Sequence, residues 1–139
     1  MAQYVRDLMT AAPMSVGPCT SVAQAARLMR DHDLGAVLVT DDGRLRGLVT
    51  DRDLVVRSVA DGVDPEETTV VRACSEELVT VGPDDELDLA VRLMREHAVR
   101  RVPVVDGEHP VGVLSLGDVT LERDPDSPLA DIGAARPNT

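Results

Sequence analysis

Between Val22 and Met29 the apolar residues Val22, Ala25, Ala26 and Met29 recur at i, i+3, i+4 and i+7, which predicts a helix burying those four side chains. The same spacing returns at Leu87, Ala90, Val91 and Met94. Each stripe follows a short extended piece, Met14–Val16 or Leu78–Val81, that stops at Gly-Pro. Ser21 with Gln24 has the form of a capping box for the first helix, and Asp85 with Asp88 a weaker one for the second. After each helix come two β-rich runs around a tight turn. In the first, Ala36–Val39 and Leu45–Val49 flank Asp41-Asp42-Gly43; in the second, Arg101–Val105 and Val111–Leu114 flank Asp106-Gly107. Pro103 donates no hydrogen bond and belongs near a strand edge or a bulge. A further helix is expected from Asp51 to about Ala60, and another from Leu116 to about Glu122.

These patterns are one pattern used twice. Shifted by 65 residues, the chain falls on itself without a gap: Val16-Gly17-Pro18 lands on Val81-Gly82-Pro83, and Arg27–His32 on Arg92–His97. Val37, Val39, Asp41, Gly47 and Asp53 meet Val102, Val104, Asp106, Gly112 and Asp118. Roughly a third of the positions between Ser15 and Leu54 match, far above chance. One copy offers about three short strands and two helices, too little to bury its own sheet. The expected architecture is therefore α+β, two repeats packed sheet to sheet with pseudo-two-fold symmetry and a cleft between them. Repeat one is placed at 1–62 with the N-terminal helix, repeat two at 63–123, and a loosely held tail at 124–139.

Composition narrows the function. One Tyr, no Phe and no Trp leave no aromatic platform for bases or sugars, and a net charge of -11 opposes a phosphate backbone. Nucleic acid is not expected as a partner. Every basic side chain is Arg, which excludes Schiff-base and P-loop chemistry. No apolar run approaches a membrane span, and Cys19 and Cys74 make no disulfide framework, so a cytoplasmic protein away from the membrane is expected. Cys74 falls beside Met9 in the repeat and reads as a small core residue; Cys19 reads as an exposed loop thiol. His32 and His97 end the first helix of each copy, where the dipole favours them, and lack companion ligands at metal spacing; His109 reads as surface. No nucleophile–base pair or metal cluster is apparent, so neither catalytic nor metal residues are assigned and no cofactor is required.

The motifs Val5-Arg6-Asp7-Leu8-Met9-Thr10, Arg-Leu-Met at each helix end, Val99-Arg100-Arg101-Val102-Pro103-Val104-Val105 and Gly47-Leu48-Val49-Thr50-Asp51-Arg52-Asp53 together resemble a tandem cystathionine-β-synthase (CBS) domain pair of the free-standing bacterial type, over roughly Val5 to Glu122. Copy two departs slightly, with Gly112-Val113-Leu114-Ser115-Leu116-Gly117-Asp118. The resemblance implies two β-α-β-β-α units that often dimerise, and a cleft that often holds AMP, ATP or S-adenosylmethionine. It implies a phosphate contact from Thr50 or Ser115 and a ribose contact from Asp53 or Asp118. It also places Ala36 and Val37, and Arg101, Val102 and Pro103, at the ligand.

The residues themselves leave both roles open. Thr50 ends a strand and begins a helix, a natural anion site, and Asp53 can accept two hydrogen bonds from a vicinal diol. Thr-x-x-Asp is equally a helix cap. Arg52, Arg57, Arg100 and Arg101 are the candidate phosphate partners, each otherwise a solvated charge paired with a local carboxylate. Arg100 and Arg101 point to opposite faces, and Arg101 is preferred. Because Gly35 and Ala36 stand where copy two has Arg100 and Arg101, and Gly117 and Glu122 where copy one has Arg52 and Arg57, the two sites cannot be equivalent. The expectation is a regulatory sensor that binds an adenosine-type small molecule, forms a homodimer and signals to a separate effector protein. The alternative is a ligand-free dimerisation or interaction module.

Overall fold

The computed structural model describes residues 3–74 and 78–123, with Asp126 and Pro128; the expected tail otherwise lies outside the described residues. The fold is mixed α+β with two three-stranded sheets, each in its own compact unit.

The unit Met14–Leu78 carries a sheet ordered β2-β3-β4, with β2 at Ser15–Val16, β3 at Ala36–Asp41 and β4 at Arg44–Thr50. Helix α2 (Val22–His32) covers it. Val22, Ala25 and Met29 join Val37, Val39 and Val49 in the core, whereas Ala26 is exposed: a methyl at the edge of a stripe is too short to reach the sheet. Ser21 caps α2 by accepting from the Gln24 N–H at 3.0 Å, and Asp33 ends it in the left-handed region (φ 54). Asp42 and Gly43, both at positive φ, close the β3–β4 hairpin as a type I′ turn requires. The second helix starts as α3 (Asp51–Leu54) but continues as a π-turn over Val55–Val59.

The other unit, Met1–Pro13 with Val79–Thr139, holds a sheet ordered β1-β6-β5, with β1 at Thr10–Ala11, β5 at Arg101–Asp106 and β6 at His109–Ser115. Helix α5 (Leu87–His97) buries Leu87, Ala90 and Met94, with Val91 half-buried at the stripe edge. Its N-cap is Glu86. The expected Asp85–Asp88 box does not form, because the Asp85 carboxylate turns back to accept from the Gly82 N–H at 2.7 Å. Helix α6 (Leu116–Arg123) is α throughout.

The spatial units cut across the chain grouping 1–62 and 63–123. Helix α1 (Val5–Leu8) precedes repeat one but packs on repeat two, and α4 (Val70–Ala73) precedes repeat two but packs on repeat one. The exchange is reciprocal at the backbone. The Val5 N–H donates to the Asp85 carbonyl at 2.9 Å and the Val70 N–H to Thr20 at 2.8 Å; Leu87 donates to Gln3 and Val22 to Thr68. Periodicity is blind to this swap, because an amphipathic turn carries no label for which sheet it will cover.

Pro103 explains a difference between the sheets. Its counterpart Leu38 donates its N–H to the Met14 carbonyl at 3.0 Å, which starts the parallel β2–β3 ladder. Proline cannot donate, so the matching segment reaches β5 only through an isolated Val81–Val104 bridge, built from Val81 N–H to Pro103 O and Val105 N–H to Val81 O. As expected, Pro103 lies on an edge strand beside a register shift, at Val104/Val105.

Candidate functional site

In both repeats the last residue of a hairpin strand is also the N-cap of the following helix. Thr50 ends β4; its Oγ1 accepts from the Asp53 N–H at 3.1 Å, while the Thr50 N–H donates to Asp53 Oδ2 at 2.9 Å. Ser115 ends β6 and forms the same reciprocal pair with Asp118, at 3.1 and 3.0 Å. The capping role is thus realised in both copies, and it holds a hydroxyl and a carboxylate in fixed mutual geometry at equivalent strand-to-helix junctions.

Cross-strand register decides which side chains join each pair. Directly opposite residues share a sheet face. Ala36 stands opposite Thr50, and Arg101 opposite Ser115. Val37 and Val102, one position further, turn to the other face and are buried in the two cores, so their side chains are not at the junction. Pro103 shares the Arg101 face opposite Val113 and is buried.

The electrostatics of the copies differ. In the first, Asp53 is 6% exposed, and beyond its cap bond its Oδ1 lies 3.6 Å from Arg57 Nε. Arg57 is therefore the paired charge that its alternative reading describes. Arg52 is exposed. In the second copy Asp118 is half-buried, Arg101 is half-buried, and Arg101 makes no ion pair with any described residue. Arg100, just before β5, is exposed.

Two further residues of the first unit are polar and at least half-buried, and Cys74 is the small core residue that the repeat predicted. Cys74 packs against repeat one, its Sγ 3.0 Å from where a Cβ on Gly47 would sit. Burial, and then the negative charge of Asp53, push its thiol pKa up, with Arg46 pulling it back in part. Ser58, in the π-turn, is fully buried and its hydroxyl has no hydrogen-bond partner among the described residues. Nothing in the residue pattern predicts a π-turn, so the burial of Ser58 could not be read in advance. Among the described residues no group of three or more His, Cys, Asp or Glu side chains could hold a metal ion, and no helix is long and apolar enough to cross a membrane.

Comparison with known proteins agrees with this architecture. The CBS domain model matches residues 5–59 and 68–123. The CBS domain-containing protein YhcV of Bacillus subtilis is 40% identical over 119 residues, covering 86% of this chain and 84% of YhcV. Hypoxic response protein 1 of Mycobacterium tuberculosis is 36% identical over 115 residues, covering 82% and 80%. The crystal structure of Hypoxic Response Protein I with two coordinated zinc ions superposes with a TM-score of 0.79 at 35% identity, covering 86% of this chain and 98% of that one. The CBS domain pair of protein MJ0100, in complex with 5′-methylthioadenosine and S-adenosyl-L-methionine, gives 0.82 at 21% identity, covering 91% and 100%, a likeness of fold. With two matched domains spanning nearly its whole length, this chain belongs to the CBS domain family.

Proposed function

We propose that this protein is a regulatory module that binds an adenosine-containing ligand, such as AMP, ATP or S-adenosylmethionine, and passes the resulting change to a partner. The observation that carries this reading is the twin hydroxyl–carboxylate pair, Thr50–Asp53 and Ser115–Asp118, held alike at two strand-to-helix junctions. A hydroxyl offers contacts to phosphate, and a carboxylate, an acceptor with two oxygens, suits a vicinal diol. The family and the adenosine ligands of the MJ0100 domain pair support the same class of ligand. Signalling requires that the ligand bind two states unequally. The roles assigned to the chain are binding roles in a cytoplasmic, homodimeric protein, and no chemistry is proposed for it.

A thermal-shift series with AMP, ADP, ATP, S-adenosylmethionine and NAD(H) tests this. A ligand at a hundred times its Kd stabilises by about 2.7 kcal/mol, a shift of several degrees. Asp53→Asn and Asp118→Asn keep a cap acceptor but lose the charge, so loss of the shift in either assigns the site. No shift with any of these compounds refutes the reading.

A second reading, a ligand-free interaction module, is favoured by one observation. Val55, Val56 and Val59 of the π-turn are 58%, 45% and 64% exposed, and Leu116 and Leu121 of α6 are also exposed. Sedimentation of the ligand-free protein separates the two: a stable dimer unchanged by any nucleotide supports the interaction module.

A further inference from the structure

We propose that the second helix of repeat one is a two-state switch, in which the π-turn over Val55–Val59 exchanges with an α register that re-aims the exposed valines and lets the Ser58 hydroxyl bond. This does not rest on the adenosine reading. The turn is closed by a bond from the Ala60 N–H to the Val55 carbonyl, five residues back, at 2.9 Å. In repeat two the equivalent helix, α6, is α throughout. π-turns are rare and cluster at functional sites. The residues of this one are distributed inside out. Ser58 is fully buried and its hydroxyl has no hydrogen-bond partner among the described residues, while Val55, Val56 and Val59 are exposed. A helix required only to pack would carry a valine on the inward line and strand no hydroxyl there.

Helix α6 shows how a hydroxyl is satisfied in the α register: Thr120 Oγ1 donates to the Leu116 carbonyl, four residues back, at 2.9 Å. Ser58 has Leu54 at the same offset, and in the π register that bond is not made. Changing the bonding from five residues back to four takes one residue out of each closed ring. Every side chain after Leu54 then rotates about the axis, and Ser58 leaves the inward line for the Leu54 carbonyl. Opposing contacts keep the two registers close in energy. The π register is held by packing against α4 and by Arg72 of that helix, whose Nη2 lies 3.8 Å from Asp61 Oδ2. Three valines in five residues weaken the α register, because β-branched side chains crowd the preceding turn. Gly62, at φ 70 with open space where a Cβ would sit, is the hinge that absorbs the change. A partner that grips the valines in one register shifts the population toward it.

The test uses the full chain without ligand, followed by NMR saturation-transfer exchange and by amide hydrogen exchange. One minor state should be shared by the amides from Val55 to Gly62 and be absent over α6. Ser58→Ala removes both the bond that only the α register makes and the hydroxyl that only the π register strands, so the minor-state population should fall at least about fivefold. Thr120→Ala, which deletes the parallel bond in α6, should leave that population unchanged. Both registers keep the helix hydrogen-bonded. The Val59 and Ala60 amides should therefore exchange at least about tenfold more slowly than the minor-state population multiplied by the free-amide rate. The absence of a minor state over Val55–Gly62, or a population that survives Ser58→Ala, would overturn the proposal. So would amides exchanging at that product, which is the mark of a fraying helix end rather than a second register.

Discussion

Replacing Gly112 by Ala should destabilise the protein more than replacing its symmetry mate Gly47, and the reason can be worked from the neighbours of each absent side chain. A Cβ on Gly112 would sit 2.7 Å from Met9 Sδ, 3.1 Å from Met9 Cγ and 2.9 Å from the Thr10 carbonyl oxygen. The methionine can swing away; the carbonyl cannot, because Thr10 and Ala11 are paired with Val113 and Gly112 in the β1–β6 ladder. A Cβ on Gly47 would meet only Cys74, at 3.0 Å from Sγ and 3.4 Å from Cβ. Overpacking costs about 1–3 kcal/mol, and Gly→Ala in a strand returns about 0.5–1 kcal/mol of chain entropy. Gly47→Ala should then cost about 1 kcal/mol or less, and Gly112→Ala about 2 kcal/mol.

Second substitutions sharpen the contrast. Cys74→Ala removes the sulfur that Gly47→Ala would strike, so the double variant should recover the cost of the overlap, a coupling of about 1 kcal/mol. Met9→Ala should rescue Gly112→Ala only in part, since the Thr10 oxygen remains. Urea midpoints of the four single and two double variants measure this, and amide exchange at Thr10 and Ala11 should rise in Gly112→Ala as β1 is pushed from β6. Equal costs at the two glycines, or full rescue by Met9→Ala, would show that the β1–β6 backbone is not the rigid neighbour it is taken to be.

Three further outcomes follow from Cys74 and Ser58. Cys74, whose thiol is pushed up by burial and by the charge of Asp53, should alkylate more slowly at pH 8 than a cysteine in an unstructured peptide, and Asp53→Asn should speed it; peptide-resolved mass spectrometry reads both. Because the fold holds the proton longer than the unfolded chain does, the Cys74 contribution to stability is complete below the ordinary thiol range and is lost as pH rises through the raised value, so Cys74→Ala should flatten that alkaline loss in denaturation curves. Ser58→Ala should raise stability by about 1 kcal/mol, since it deletes a buried hydroxyl with no partner among the described residues; a loss of similar size in a thermal melt would show that the hydroxyl is hydrogen-bonded in solution.

What could be read along the chain was what depends on spacing. The stripes at Val22–Met29 and Leu87–Met94 became α2 and α5, the Asp42-Gly43 turn closed a hairpin, and the internal repeat brought the two Thr/Ser–Asp pairs to equivalent junctions. What could not be read depends on which surface meets which. The turns at Val5–Leu8 and Val70–Ala73 are too short to declare a partner, and their exchange between repeats is written only in reciprocal backbone bonds such as Val5 to Asp85 and Val70 to Thr20. At the site, the spacing located Thr50, Asp53, Ser115 and Asp118. The distinction between Arg57, paired with Asp53, and Arg101, with no ion pair among the described residues, needed the register and the ion-pair geometry.

The copies differ on both faces of each hairpin, and two of the differences lie on the face that carries Thr50 or Ser115. The core-facing pairs Val37/Val102, Val39/Val104 and Gly47/Gly112 are unchanged because each is hemmed in: the valines lie in the two cores, and the glycines lie under Cys74 or Met9. On the opposite face Ala36 has become Arg101, and the fully buried Leu38 has become Pro103, which is also buried. The first change adds a cation opposite Ser115 that makes no ion pair among the described residues; the second deletes the donor that would start a parallel ladder with the preceding segment. Only the first of these changes puts a charge at a half-buried position, directly opposite Ser115, and packing alone does not call for one, which is why the difference between Ala36 and Arg101 is the place to look for what this protein binds.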